Sequence, residues 1–163
     1  ALPISGMNCT TFNLSDEQLS KRNVSDKAIN LQGFYSKTNP AIKHIHGDSK
    51  DFDFASLNKK FDLIFIDGDH HFQSVKNDTE KMFQLLKDEK SIIVWHDYGN
   101  TPEDVRWEVL HGIIEGTPLQ FRNNLYKVSN TMCAVFTREK FISYFSEFPQ
   151  TPRHNFSVQI SIK

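Results

Sequence analysis

The chain has 163 residues, enough for one ordinary domain with a sizeable core and too few for two comfortable ones. Its 19 Lys and Arg against 20 Asp and Glu give a formal net charge of -1, which removes any whole-chain reason to expect nucleic acid or an anionic membrane as partner. A hydrophobic fraction of 38% with 14 phenylalanines suits a globular fold, and no apolar run approaches the roughly 20 residues of a membrane span, so a soluble protein is expected.

Cys9 and Cys133 lie far apart without CxxC spacing, which argues against a disulfide scaffold or a structural zinc site and for a reducing, cytoplasmic setting. Asn-x-Ser/Thr triplets at Asn8, Asn13, Asn23, Asn77 and Asn155 are short enough to be chance matches where no signal peptide accompanies them.

In chain order, the β-favouring "CTTF" within Met7 to Leu14 predicts a short strand. Ser15 to Pro40 reads as a polar, largely surface stretch with weak helical signals at Asp16 to Arg22. "AIKHIHGDS" alternates at Ile42 and Ile45 before Gly47, a strand running into a turn at Asp48. "FDLIFI", residues 61 to 66, is apolar nearly throughout and predicts a parallel strand buried on both faces. Val75, Met82, Phe83, Leu85 and Leu86 then recur at helical spacing, predicting about five turns from Phe72.

"SIIVW", 91 to 95, repeats the buried-strand pattern. In "TPEDVRWEVLHGII", Thr101 reads as an N-cap, Pro102 as the first helical residue, and the acids at 103 and 104 as partners of the helix dipole, with Val105, Val109 and Ile113 facing inward. This alternation predicts a doubly wound α/β sheet with right-handed crossovers. "LQFRNNLYKVSN" and "TMCAVFTRE" predict an antiparallel hairpin at its edge, turning near Ser129 and Asn130. Residues 141 to 163 form an extension of a single domain spanning 1 to 163, without a clear pattern.

Ligands of an open parallel sheet bind beyond the carboxyl ends of its strands. Asp48, Asp67 and Asp97 each follow a predicted strand and so fall on that rim. If the last two strands are neighbours, their axes lie about 4.8 Å apart, and Asp67 and Asp97 can share a hard cation such as Mg2+. A cation would also relieve the repulsion between two such carboxylates. Asp69, His70, His71 and His96 surround the same rim, and a histidine of ordinary pKa near ~6.5 can take a proton from a hydroxyl.

Plainer roles compete. Asp67-Gly68-Asp69 is also the pattern of a strand-to-helix turn whose carboxylate caps the next helix. His71 suits a solvated first-turn residue, His96 a buried partner of the backbone, and Phe52, Phe54 and Trp95 the core.

Taken together, "GDSKDFDF", "FDLIFIDGDHHFQSVKND", "LLKDEKSIIVWHDYG" and "VRWEVLHGI" resemble a class I S-adenosylmethionine-dependent methyltransferase of the O-methyltransferase-like group called methyltransferase family 24. The resemblance runs from about Thr11 to Phe136. It implies a Rossmann-like, mostly parallel sheet with "TTFNLS" as the family's second strand and "AVF" at 134 to 136 as its final antiparallel strand.

It further implies S-adenosylmethionine as cofactor, with Asp48 and Ser49 beside the adenine, Asn13 at the ribose position, and Asp67 and Asp97 at positions from which related enzymes hold a divalent metal. His70 and His96 match positions beside the site, as base or ligand. A small-molecule or saccharide hydroxyl is the implied acceptor, and homo-oligomers are a possible assembly.

The sequence departs from the family at three places. The usual opening strand and loop, "E-x-G-x-x-x-G", has no equivalent before residue 7, so the first strand and helix are expected to be missing. The acid that binds the ribose hydroxyls is Asn13, which hydrogen-bonds without charge. "KDEK" replaces a glycine pair before the strand at 91 to 95. Two alternatives follow: a metal-dependent nucleotide-sugar glycosyltransferase using Asp67-Gly68-Asp69 as a DxD element, or a degenerate, non-catalytic binding module.

Overall fold

Capping chemistry and strand patterning build the first part of the chain. The computed structural model describes residues 9–101, 104–141 and 143, and the chain divides into two compact units, Ala1–Asp53 and Phe54–Lys163. In the first unit, strand β1 (Cys9–Asn13) pairs in parallel with β2 (Ile42–His46), with Asn13 opposite His46. Between them, α1 (Asp16–Lys21) opens with a capping box: Ser15 accepts from the Gln18 amide at 3.2 Å, and the Gln18 side chain accepts from the Ser15 amide at 2.9 Å.

A second short helix, α2 (Asp26–Leu31), occupies the stretch read as polar surface; Ser25 caps it and only Ile29 is buried. One buried apolar residue in six gives too weak a stripe for periodicity to reveal the helix.

The second unit holds a four-stranded sheet in the order β3 (Leu63–Ile66), β4 (Ile92–Trp95), β6 (Ala134–Phe136), β5 (Leu125–Lys127). β3 and β4 run parallel, and the hairpin strands β5 and β6 are antiparallel to one another, with β6 antiparallel to β4. The architecture is therefore a mixed α/β fold of the Rossmann-like type, with parallel pairs and a terminal antiparallel hairpin. Residues 119 to 124, expected to begin the hairpin, instead form a 3-10 turn (Leu119–Asn124) ahead of β5. The extension from 141 lies outside the described residues except for Phe141 and Ser143.

The core lies on one face of this sheet, where Ile93, Trp95 and Phe136 are fully enclosed with Val109 and Ile113. The other face corrects one expectation. β3 is not buried on both sides: Leu63 and Phe65 are 61% and 57% exposed while Ile64 is buried. Among the described residues β3 is the edge strand of its sheet and only one of its faces is covered, where a central parallel strand is covered on both.

Helix α3 (Phe72–Phe83) is shorter than the predicted five turns. Its apolar spacing continues to Leu86, but Phe61 recruits the backbone there: the Phe61 amide donates to Leu85 O at 2.9 Å, and the Lys87 amide donates to Phe61 O at 3.2 Å. Leu85 is buried without being helical. The "KDEK" turn that follows closes by an Asp–Ser exchange instead of glycines. Asp88 Oδ1 accepts from the Lys90 amide at 2.9 Å, and Ser91 Oγ accepts from the amides of Lys87 and Asp88.

Helix α4 (Trp107–Gly116) starts well after Thr101, with Arg106 at the N-cap. Pro102 and Glu103 lie outside the described residues; the residues around them make a tight loop. The Arg106 amide donates to Tyr98 O at 2.9 Å, Gly99 bridges Val105, and Asp104 Oδ2 accepts from Asn100 at 2.9 Å rather than serving the helix dipole. A Cβ on Gly99 would stand 2.5 Å from the carbonyl oxygens of Thr101 and Asp104, so the loop admits only glycine there.

α3 and α4 pack backbone to side chain. A Cβ on Gly112 would lie 2.7 Å from Val75 Cβ, and one on Gly116 would lie 2.7 Å from Lys76 O and from Thr79 Cβ. Buried beneath this crossing, Trp95 Nε1 donates to Thr79 Oγ1 at 3.0 Å.

Candidate active site

Parallel registration of β3 and β4 sets Ile66 opposite Trp95, and the His96 amide extends the ladder by donating to Ile66 O at 2.9 Å. The residues that follow, Asp67 and Asp97, therefore leave the sheet side by side. Asp97 turns sharply to do so, with φ of +56°, a left-handed conformation that aspartate tolerates better than most residues.

Four side chains converge at these strand ends. His70 Nε2 lies 2.8 Å from Asp97 Oδ2. His96 Nδ1 lies 3.2 Å from Asp97 Oδ1 and 3.4 Å from Asp67 Oδ1; this nitrogen is shielded from solvent and makes no hydrogen bond of good geometry. Donor atoms of Asp67, His70 and Asp97, one from each, all lie within 4.8 Å of one another. Phe65 sits beside His96, ring centroids 6.1 Å apart.

The electrostatics follow from this crowding. Burial pushes the Asp97 carboxyl up, but the His96 and His70 imidazoles more than offset that and hold it below the usual carboxylate range. Asp67 is the open member of the pair, its side chain 54% exposed against 19% for Asp97.

Asp69 does not join the group. Its Oδ1 lies 2.5 Å from His71 Nδ1, and its Oδ2 accepts from Ser74 Oγ at 2.8 Å, so both oxygens serve the start of α3. Burial acts to raise its pKa, but the hydrogen bonds from His71 and Ser74 prevail and bring it down to about 2. Asp69 therefore braces the turn before α3 through His71 and Ser74 without capping the helix amides, while Asp67 faces the site. His71 is exposed and occupies the N-cap of α3 without capping it through its side chain. The first amide of α3, Phe72 N, donates instead to Glu108 Oε2 at 3.1 Å, which ties the openings of α3 and α4 together.

In the first unit, Asn13 and Asp48 stand at the same end of the β1–β2 pair. Asn13 is the exposed last residue of β1 and accepts from the Gly47 amide through its carbonyl at 2.9 Å. Asp48 accepts from Arg22 Nη2 at 2.8 Å and from the Lys50 amide at 3.0 Å, and Ser49 is half-buried beside it. Arg22 had no signature in the sequence: a pair separated by 26 positions obeys no local spacing rule.

Comparison with known proteins adds an independent line. No curated protein matches the chain. Among solved structures, the N-methyltransferase NodS from Bradyrhizobium japonicum WM9 is similar over 78% of this chain and 83% of its own, at 12% identity and a TM-score of 0.39. The family model for a methyltransferase domain, methyltransferase family 24, matches residues 5–98, a span that takes in both units and ends one residue past Asp97. The chain belongs to that family and is an S-adenosylmethionine-dependent methyltransferase.

Proposed function

We propose that this methyltransferase acts on an oxygen, the hydroxyl of a small molecule or saccharide, with a divalent cation held by Asp67 and Asp97. One observation carries the reading: two carboxylates and two imidazoles meet at the ends of adjacent parallel strands. A hydroxyl is a poor nucleophile until it loses its proton, and this cluster offers both means of removing it.

When bound, S-adenosylmethionine supplies an electrophilic methyl carbon on a sulfonium. A cation at Asp67 and Asp97 would lower the pKa of the acceptor hydroxyl. His96, whose Nδ1 faces both carboxylates, is proposed to take the proton through its other ring nitrogen. Asp67, on the exposed side, positions the acceptor for in-line attack. Asn13, Asp48 and Ser49 are proposed to contact the ribose and adenine. Asn13 would do so as a neutral hydrogen-bonding group, and Asp48 while paired with Arg22.

A nucleotide-sugar transferase of the DxD kind is disfavoured because Asp69 is committed to His71 and Ser74. The test is transfer of labelled methyl groups to a panel of hydroxyl acceptors, with and without chelator. Transfer should fall about tenfold or more on chelation, and Asp67→Asn and Asp97→Asn should each abolish its stimulation by metal. Chelator-insensitive transfer unaffected by either substitution refutes the metal-assisted reading.

A further inference from the structure

We infer that the cation at the ends of β3 and β4 takes a nitrogen ligand, His70 Nε2, and is therefore a divalent ion of the manganese, cobalt or zinc kind rather than magnesium. This rests on the proposed metal-assisted reading and specifies its ion. The two imidazoles approach different oxygens of Asp97: His70 meets Oδ2 and His96 meets Oδ1. An ion seated with His70 on the Oδ2 side leaves His96 on the Oδ1 side for the proton.

The spacing suits that seat. Octahedral donors about 2.1 Å from one ion lie about 3 Å apart when adjacent and about 4.2 Å apart when opposite. The 2.8 Å between His70 and Asp97 is an adjacent pair, and the 4.8 Å limit on the Asp67, His70 and Asp97 trio closes with a small movement of exposed side chains. Asp67 and His70 have that freedom, their side chains being 54% and 44% exposed.

Two carboxylates with one imidazole are a mixed donor set. Magnesium holds to oxygen donors and retains its waters, whereas imidazole is a good ligand for later divalent ions. Magnesium binding would leave His70 beside the ion as a bystander, and a nitrogen-accepting ion would convert its contact with Asp97 into shared ligation.

The experiment is pulsed electron paramagnetic resonance of the complete chain with one equivalent of Mn2+, with affinities measured in parallel for Mn2+ and, by competition, for Mg2+. The expected spectrum carries the coupling of one directly bound imidazole nitrogen, lost in His70→Gln and kept in His96→Gln. His70→Gln should weaken Mn2+ roughly tenfold or more and leave Mg2+ affinity within about threefold, because only the first ion uses the nitrogen.

An all-oxygen shell in the unsubstituted protein overturns the inference, whatever the variants do. So does a nitrogen coupling that survives His70→Gln in the folded variant, or no Mn2+ uptake at millimolar concentration. Mn2+ bound through His70 without any stimulation of methyl transfer would uphold the ligand assignment and refute the functional role of the ion.

Discussion

Thr79→Val tests how β4, the strand that leads into Asp97, is anchored. Thr79 and Trp95 are almost wholly buried, and the Thr79 hydroxyl accepts the indole N–H at 3.0 Å. Valine keeps the shape of the side chain and removes the acceptor. Leaving a buried donor unpaired costs about 1–3 kcal/mol, and the added methyl group offsets this by at most about 0.8 kcal/mol. A net loss of roughly 1–2 kcal/mol remains, which for a chain of this size lowers the melting temperature by about 2–8 °C.

Urea unfolding followed by far-UV circular dichroism measures the loss, and a double-mutant cycle with Trp95→Phe isolates the bond from the cavity that the smaller ring leaves. A coupling energy of about 1 kcal/mol is expected. A Thr79→Val protein as stable as the original, or a coupling within the ~0.3–0.5 kcal/mol scatter of independent sites, would show that this bond does not secure the end of β4.

Gly112→Ala sets a gain in helix propensity of about 1 kcal/mol against overpacking of about 1–3 kcal/mol, because its Cβ would lie 2.7 Å from Val75 Cβ. Net destabilisation in thermal unfolding is expected, and a higher melting temperature would contradict the tight α3–α4 crossing. At Asp97, whose φ is +56°, alanine should be less stable than asparagine by about 1 kcal/mol or more, with both lacking the carboxylate; urea midpoints that coincide would remove the argument from backbone conformation. Asp69, brought down to about 2, contributes stability that is complete above the ordinary carboxylate value near 3.8 and is lost as pH falls from there toward 2. Urea midpoints at descending pH should therefore converge for the original protein and Asp69→Asn across that window, and a constant gap would refute the linkage.

What the sequence disclosed depended on how local each signal is. β4 was visible because "SIIVW" is short, β-branched and flanked by turn residues, and the placement of Asp67 and Asp97 followed from their following adjacent strands. α4 starts later than Thr101-Pro102, which has the chemistry of a helix opening, because the backbone there is claimed by Tyr98, Gly99 and Asp104. α3 ends before its apolar spacing does for the same reason, since Phe61 competes for the backbone at Leu85 and Lys87. Pairings such as Arg22 with Asp48 and His70 with Asp97, 26 and 27 positions apart, exist only once the chain has folded.

The place of each strand in the sheet makes the two acidic walls of the site mechanically unequal. β4 is bonded on both flanks, to β3 and β6, so Asp97 issues from a stationary support. Asp67 issues from the rim strand and stands out into water. On the proposed reading, acceptors of different bulk would be met by displacement on one side, with Asp97 as the fixed jaw of a vice and Asp67 as the sliding one.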